Sequence, residues 1–419
     1  MDVTGKLMRQ TVSILLGSGF SIPEGLPGVK QLNKRLSKID ESEILIHTDQ
    51  TAMFLNGQED PNRWCRWDER IFMQQFLEYY NSDILKKDEQ FHYETFYDFY
   101  SGYLNNSENK KEIEFFYKKF NDEHFKDGNI DRDCYNRVSD FNRSFNQLLA
   151  SQLHKSKYFE DVTYGNYPPY DSFIGFIREL LKTYDVKVHT LNHDLFFDFL
   201  GHNHSELFQY FSDGYKLEGS PFYGTVSYHF NQNTALPIVS KTYHVKLEHF
   251  IDKFDTPLCL FKLHGSVFNT IVYTPEKEQR KVRLKDNYAI SQFKMEMNDP
   301  ETGEPCFRGL HDEVAPDFLS GTTNKTRSYT RDPYYINLFK HFRQNLSTSE
   351  LLVVIGYGFQ DGGINEFIEK HFLASGNRMI VIDPIKPKTD LIDKYNTKYI
   401  SKGVTQVQYQ EYLELIPTV

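Results

Sequence analysis

The stretch Thr11–Gly28, with the letters TVSILLGSGFSIPEGLPG, constrains the fold more than any other part of this 419-residue chain. Its β-branched and apolar run Val12–Leu16 predicts a buried strand. Gly17 and Gly19 follow, and an apolar pattern at helical spacing begins at Val29. A strand, a glycine turn and a helix in this order direct backbone N–H groups and the positive end of a helix toward one point. This geometry is typical of a pyrophosphate site.

The glycine motif is incomplete, because Ile22 stands where the third glycine of G-x-G-x-x-G would be. Taken alone, the GSG turn therefore fits an ordinary loop as well as a dinucleotide site. The remaining turns of the chain have to decide between the two.

Composition excludes several classes of protein. A hydrophobic content of 39% with 25% charged residues is ordinary for a soluble globular chain. The net charge of −10 argues against general electrostatic binding of nucleic acid. No apolar run approaches the roughly 18 residues of a membrane span, and the first residues lack the apolar region of a signal peptide. We therefore expect a cytoplasmic protein that binds neither membrane nor nucleic acid directly.

The cysteines are too scattered to form a recognised site. No C-x-x-C pair exists, so we expect neither a thiolate zinc site nor a disulfide framework, and no bound metal. The four positions are Cys65, Cys134, Cys259 and Cys306.

Between Ser42 and Tyr170 the pattern changes from strands and turns to successive helices. Polar breaks separate three aromatic-rich stripes, which we interpret as packed core rather than ligand sites. The sequence thus predicts a helical insertion at 42–170 within a discontinuous α/β core formed by 1–41 and 171–419. The stripes contain Phe72, Phe76 and Tyr80, then Ile113, Phe116, Tyr117 and Phe120, then Val138, Phe141, Phe145, Leu148 and Leu149.

After the insertion the chain returns to an α/β rhythm, which predicts a Rossmann-like parallel sheet. Short β pieces are expected between His202 and Thr256, and a polar, irregular excursion near the ligand cleft between Thr274 and Arg331. A helix bearing Phe173, Phe176 and Leu180 precedes the next strand. The further predicted strands are Val186–Leu191, Pro257–Leu263, Leu351–Ile355 and Met379–Ile382, with a helix at Ile364–Phe372 between the last two.

Four predicted strands end in chemically rich turns, GSGFS, TLNHD, KLHGS and GYGFQDGGIN. In a parallel sheet such turns lie at one carboxyl edge, where ligands bind. Turn formation or helix capping would explain each residue alone, but their joint occurrence favours a site. The candidates are Thr190, Asn192, His193, Asp194, His264, Gly265, Ser266, Gly356, Gly358, Asp361, Asn365 and Asp383.

This ordered set of motifs resembles the sirtuin (silent information regulator) superfamily. The GYGFQDGGIN turn is also similar to the GYSF-D-x-x-IN turn of bacterial sirtuin-like anti-phage proteins. The motifs are G-x-G-x-S at Gly17-Ser18-Gly19-Phe20-Ser21, Gly25-Leu26-Pro27, T-x-N-x-D at Thr190–Asp194, His264-Gly265, and Gly356-Tyr357-Gly358.

The resemblance implies a sirtuin-type core that binds NAD as a substrate. Asn192 would hold a ribose or the attacking water, Asp194 would contact the nicotinamide amide, and His264 would be the base on the nicotinamide ribose. The pyrophosphate would lie against Gly17, Ser18, Gly19 and Ser21, and the adenosine half near Gly356, Gly358 and Asp383. Pro27, Thr190 and Gly265 complete the implied cofactor-binding set.

Two departures from the family pattern favour plain NAD hydrolysis. Gly28-Val29-Lys30 follows the G-L-P motif where sirtuin deacylases carry D-F-R, and Cys306 alone stands where they hold a four-cysteine zinc module. The resulting hypothesis is an NAD hydrolase that depletes NAD in bacterial anti-phage defence. We expect a homo-oligomer, with a partner such as a HerA-type ATPase or an Argonaute. The alternatives are an NAD-dependent protein deacylase and a non-enzymatic subunit that binds NAD or ADP-ribose.

Overall fold

The protein is described here by a computed structural model. The described residues are 9–47, 52–55, 66–125, 133–153, 168–230, 239–283, 290–313, 316–318, 332–395 and 397–417.

The strands and helices alternate irregularly along the chain. The strands are β1 Gln10–Leu16, β2 Ile44–Ile46, β3 Ala52–Phe54, β4 Tyr184–Thr190, β5 Phe211–Ser212, β6 Tyr215–Lys216, β7 Phe222–Phe230, β8 Val239–Lys246, β9 Glu248–Phe250, β10 Leu258–Lys262, β11 Asn269–Tyr273, β12 Gln279–Arg283, β13 Ile290–Asn298, β14 Pro305–Gly309, β15 His311–Asp312, β16 Ser349–Ile355, β17 Arg378–Ile382 and β18 Thr397–Ile400. The helices are α1 Val29–Leu36, α2 Trp67–Tyr79, α3 Tyr93–Asn106, α4 Lys110–His124, α5 Cys134–Leu153, α6 Asp171–Thr183, α7 Phe196–Asn203, α8 Ser205–Phe208, α9 Pro333–Thr348, α10 Gly362–His371, α11 Asp390–Lys394 and α12 Tyr409–Leu413.

A seven-stranded sheet forms the centre of the molecule, in the order β18-β17-β16-β1-β4-β10-β5. Every neighbouring pair in it is parallel. All five residues of β10 are buried, which explains why its first four, Leu258–Phe261, are apolar without alternation. The sheet confirms the predicted α/β class and the four predicted core strands after the first.

The strand order identifies where a ligand would bind. Without the two-residue edge strand β5, the six long strands taken in chain order are arranged 3-2-1-4-5-6, the order of the Rossmann fold. The direction of winding reverses between β1 and β16, and ligands of open α/β sheets bind outside the carboxyl ends of the strands at such a point. The fold is thus Rossmann-like, and its switch point lies between Leu16 and Ile355.

The helical region contains the predicted aromatic stripes as a packed core. Phe72 packs edge-on against Phe120, with ring centroids 5.0 Å apart, and Phe76 stacks on Phe116 at 5.0 Å. This cluster also includes Leu32 and Leu36 of α1, and α3 and α5 contact α1 directly, so the helical region packs against the first helix of the α/β core. One feature of this region was not predicted, the short hairpin formed by β2 and β3.

The region between Thr274 and Arg331 contradicts the expected irregular excursion. In its described part, β12 to β15 form two antiparallel sheets with β6, β7, β8, β9 and β11. Lys281 and Arg283 of β12 are charged, which favoured a loop in the sequence, but both are buried. Lys281 is 3.0 Å from Asp332 and Arg283 is 2.7 Å from Glu248. Buried cations satisfied by carboxylates resemble exposed loop residues in a sequence, which explains why β12 was not predicted.

The end of the sheet also differs from the expectation, because β17 is not the last strand. β18 pairs with β17 in parallel and only partly buries its four residues. A short, half-exposed edge strand lacks the apolar run by which inner strands are recognised. In the described part of the chain, no helix is long and apolar enough to cross a membrane.

The core contains one histidine whose titration we expect to affect stability. His189 of β4 is fully buried, 4.9 Å from the ring of Phe261 and 4.7 Å from that of Phe342, measured between centroids. Burial, assisted by the charge of Lys187, lowers the pKa of His189 from 6.5 to about 3. The unfolded ring gains a proton near pH 6.5 and the folded ring does not, so stability falls as the pH drops through this window.

We predict that His189→Phe removes this pH dependence. Between pH 6 and pH 4, wild type should lose about 1.4 kcal/mol of unfolding free energy per pH unit more than the variant does. Urea unfolding of both proteins across this range measures the difference. Parallel stability profiles would show that the buried ring titrates normally.

Candidate active site

A cavity of about 560 Å³ lies at the carboxyl edge of the sheet, at the switch point. Its size falls within the range of pockets that bind small ligands and cofactors. All four chemically rich turns contribute to it, which supports the expected convergence. The lining residues from these turns include Gly17, Ser18, Ser21, Asn192, His193, Asp194, His264, Gly356, Tyr357, Gly358 and Asp361.

The turns after β1 and β16 lock together through their glycines. The Gly17 amide donates to the Ile355 carbonyl at 3.0 Å, and the Gly19 amide donates to the Gly356 carbonyl at 2.9 Å. A Cβ on Gly17 would lie 2.6 Å from the Gly356 oxygen, so the two backbones are too close for a side chain there. Both glycines are required by this contact, whatever ligand the cavity holds.

This arrangement revises the phosphate geometry expected from the sequence. The N–H groups of Gly17 and Gly19 are consumed in joining the two turns. Helix α1 begins only at Val29, after single 3-10 turns at Ser18–Phe20 and Ile22–Glu24. Of the three amides from Gly17 to Gly19, that of Ser18 is left without a hydrogen bond to any described residue. It is therefore the turn's available donor toward the cavity.

Asn192 connects the turn after β4 to the first glycine turn. Its Nδ2 donates to the Gly17 carbonyl at 3.0 Å and to the Ser21 Oγ at 3.1 Å. The Gly17 carbonyl can only accept, so this contact fixes the orientation of the amide group. The Oδ1 atom makes no hydrogen bond to another described residue. The side chain is thus held rigidly while offering a hydrogen-bond acceptor at the cavity.

Asp194 is a buried carboxylate on the cavity wall. Its Oδ1 accepts the Phe196 amide at 2.9 Å, and Lys262 donates to its backbone carbonyl at 2.5 Å. Lys262 is itself buried in an ion pair of 2.9 Å with Asp198. Burial raises the pKa of Asp194, and the charge of Lys262 opposes that shift. Lys262 therefore supports the turn through its bond to the Asp194 carbonyl, and its charge favours the ionised form of Asp194, whereas the charge of Asp198 disfavours it.

His264 follows β10 and is 4% exposed at the cavity wall. Its neighbour Gly265 has a φ of +78°, and a Cβ there would lie 2.6 Å from the Asp317 carbonyl. Gly265 also forms a β-bridge with Phe318, which anchors this turn. The ring of His193 lies 6.2 Å from that of His264, measured between centroids. The glycine thus sets the backbone that presents His264.

The turn after β16 is held together by the Tyr357 hydroxyl. This oxygen lies 3.0 Å from the Asn365 Oδ1 and 3.1 Å from the Asp361 carbonyl. Asn365 in turn donates to the Phe359 carbonyl at 2.9 Å. Phe359 has a φ of +55°, a left-handed conformation that is unusual for an aromatic residue. A strained turn fixed by this many bonds indicates a preorganised site.

Sequence reasoning missed one wall of the cavity, which comes from the helical region. His92, Tyr93, Glu94 and Leu153 line it beside Val29 and Leu32 of α1. The Tyr93 amide donates to the Asn33 Oδ1 at 2.9 Å, so α3 is fastened to α1 at its first residue. No local pattern marks these residues, because only the tertiary packing brings α3 to the cavity.

Four of the remaining predicted site residues, Gly19, Thr190, Gly265 and Asp383, do not line the cavity. Gly19 and Gly265 set turn geometry, and the Thr190 Oγ1 accepts the Asn192 amide at 3.1 Å. Asp383 follows β17, where its carboxylate accepts the Ile385 amide at 2.9 Å and burial raises its pKa. Pro27 does line the cavity. Among the described residues, no group of His, Cys, Asp and Glu is arranged to hold a metal ion.

Comparisons with known proteins give weak structural likenesses. No family model and no curated protein matches the chain. A structure described as Sir2 bound to acetylated peptide aligns at 9% identity over 97% of this chain and 93% of that one, with a TM-score of 0.33. A Sir2 homologue mutant in complex with ADP ribose aligns at 9% identity over 97% and 92%, with a TM-score of 0.36. Similarity at this level supports no inference about the fold. The strand order of the central sheet identifies the fold as Rossmann-like.

The chemistry available in the cavity is acid–base and electrostatic. It offers an imidazole, a buried carboxylate, a fixed amide oxygen and a free backbone N–H, at His264, Asp194, Asn192 and Ser18. Imidazole titrates near neutral pH and can accept a proton from a hydroxyl or from water. Carboxylate and amide oxygens stabilise positive charge that develops on a substrate. The arrangement suits cleavage through a cationic transition state.

Proposed function

We propose that the protein is an NAD hydrolase that converts NAD and water to nicotinamide and ADP-ribose. The observation that carries the proposal is the meeting of Asn192 and His264 with two glycine turns in one cavity at a Rossmann switch point. The motif resemblance to sirtuins gives these residues their roles. The glycine turns would receive the pyrophosphate, and the turns after β4 and β10 the nicotinamide ribose.

The reaction needs little more than these groups supply. The bond from ribose to nicotinamide breaks with its electron pair going to the cationic ring, which leaves as a neutral molecule. Positive charge develops on the ribose, as in other glycoside hydrolyses. Asn192 would hold a ribose or orient the attacking water through Oδ1, and Asp194 would bind the nicotinamide amide. His264 would be the base on the nicotinamide ribose, whose hydroxyl relays the proton that water releases.

The decisive test is incubation of the protein with NAD in the absence of any acylated peptide. We expect release of nicotinamide and ADP-ribose under these conditions. Release that requires an acyl-lysine peptide would identify a deacylase instead. A calorimetric binding signal for NAD without any product would identify a binding subunit.

The helical wall gives a second prediction. The Nδ1 of His92 is buried without a hydrogen-bond partner among the described residues, on a side chain that lines the cavity. We expect His92→Ala to raise the KM for NAD about three- to tenfold, the worth of one hydrogen bond, with little change in kcat. His124→Ala in α4, where His124 bonds Gln75 away from the cavity, is the control. An equal KM for NAD in both variants would exclude a role of His92 in NAD binding.

We further propose that the hydrolase acts as the NAD-depleting effector of a bacterial anti-phage defence system. The similarity of the GYGFQDGGIN turn to such proteins supports this role. We expect the protein to assemble into a homo-oligomer and to be activated by a partner such as a HerA-type ATPase or an Argonaute. Light scattering of the purified protein, and NAD levels in infected cells with and without co-expressed neighbours, test these expectations.

A further inference from the structure

The cavity contains a carboxylate outside the NAD-binding roles assigned so far, that of Asp361. Its Oδ2 lies 3.5 Å from the Nε2 of His264. Both side chains are sheltered, with exposed fractions of 17% and 4% respectively. The two residues come from different elements, since Asp361 precedes α10 and His264 follows β10.

Asp361 is held in place independently of His264. Its Oδ1 accepts the amides of Gly363 at 3.0 Å and Ile364 at 3.1 Å, which caps the first turn of α10. The Tyr357 hydroxyl bonds its backbone carbonyl at 3.1 Å. One carboxylate oxygen therefore fixes the side chain, and the other is left to face the imidazole.

We propose that Asp361 is a positioning residue for His264, an inference that rests on the proposed NAD hydrolysis. A carboxylate facing Nε2 favours the tautomer with its hydrogen there, which leaves Nδ1 as the proton acceptor. It also stabilises the imidazolium that forms when the ring takes a proton.

The proton balance of the step is simple. The water oxygen bonds to the ribose C1′, the C1′–N bond breaks with its electron pair on nicotinamide, and one proton of water passes through a ribose hydroxyl to His264. The ring later releases that proton to solvent. No oxidant or reductant takes part.

Other ionisable groups also face this region. The His193 ring stands 6.2 Å from that of His264, Asp194 lines the same cavity, and Lys262 lies two residues earlier on β10. None of these is altered when Asp361 alone is changed. A shift in the titration of His264 in that variant is therefore assigned to the Asp361 charge.

Asp361→Asn separates the charge from the helix cap, because asparagine caps helices as well as aspartate does. We expect kcat to fall about 10- to 100-fold with little change in KM. Loss of the carboxylate that orients a metal-bound histidine has an effect of this size. The imidazole acts as a base only in its neutral form. The Asp361 carboxylate favours the protonated imidazolium, so the neutral form appears only at higher pH. Removal of the carboxylate should therefore move the acid limb of the kcat/KM profile about one pH unit lower.

Asp252→Asn is the matched control. Asp252 pairs with His341 at 3.0 Å outside the cavity, so this variant makes the same chemical change at a second histidine–carboxylate pair. It should leave kcat and the pH profile as in wild type. A fall in kcat for Asp361→Asn with an unmoved pH profile would overturn the proposal, and so would an unchanged kcat.

An NMR titration of the His264 ring separates this inference from the proposed function. The measurement needs no turnover, and the Asp361→Asn variant should titrate at lower pH than wild type. If wild type fails to cleave NAD although this shift occurs, the proposed function is wrong and the pairing stands. If wild type cleaves NAD and the ring titrates identically in both proteins, the assignment of Asp361 is wrong.

Discussion

Asn192→Ala and His264→Ala should each reduce NAD cleavage about 1,000-fold while leaving the fold intact, since a positioned acid–base group contributes on this scale. Neither side chain is part of the hydrophobic core. The His264→Ala variant would lack the proton acceptor. The Asn192→Ala variant would lack both the Oδ1 acceptor and the hydrogen bonds to Gly17 and Ser21 that align the first glycine turn.

Asn192→Asp tests the orientation of this amide. The replacement would place a carboxylate oxygen against the Gly17 carbonyl, where no hydrogen is available, and would add repulsion to the loss of a donor. We expect activity at least as low as that of Asn192→Ala. His341→Ala, which removes a histidine outside the cavity, is the control for His264 and should retain full activity. Turnover of NAD at the wild-type rate by either Asn192→Ala or His264→Ala would refute the catalytic assignment.

Gly356→Ala should lower the unfolding free energy by about 3 kcal/mol, through positive-φ strain and overpacking together. Its φ is +62°, and a Cβ there would lie 2.5 Å from the Gly19 Cα, the Gly19 carbonyl carbon and the Phe20 nitrogen. All three are backbone atoms that cannot rotate away. The methyl group would push apart the two turns that form the floor of the cavity.

Substitutions at two other glycines distinguish the backbone strain from the overpacking. Gly376 has a φ of +77° and open space around it, so Gly376→Ala should cost only the backbone strain of about 1 kcal/mol. Gly358→Ala, two residues from Gly356, meets its nearest atom at 3.8 Å and should change stability by less than about 0.5 kcal/mol. Urea unfolding measures all three variants. Equal losses for Gly356→Ala and Gly376→Ala would show that the two turns do not pack as closely as described.

The sequence predicts the parts of this fold that depend on local chemistry. Continuous apolar runs such as Leu351–Ile355 indicate inner strands, because parallel strands bury both faces. The stripes around Phe76 and Phe141 indicate helices, because their spacing matches the helical period. The turns that end these strands could be assigned to one edge, because the strands of a Rossmann sheet are parallel.

Features that depend on tertiary contacts were beyond the sequence. The burial of Lys281 and Arg283 is possible only because carboxylates from distant segments face them, so the sequence of their strand, β12, is typical of a loop. The wall formed by His92 depends on how α3 packs against α1. The His264–Asp361 pair joins residues almost a hundred positions apart, and no spacing along the chain predicts it.

The most direct test of the account is product analysis with NAD in H₂¹⁸O, without acylated peptide and with or without co-expressed neighbours. Chromatography and mass spectrometry should show nicotinamide and ADP-ribose in equal amounts, with one ¹⁸O in the ADP-ribose, and about 1,000-fold slower formation of both products with His264→Ala. The absence of nicotinamide release from wild type in every condition, or equal release by His264→Ala, would contradict the assignment of this cavity as an NAD-cleaving site.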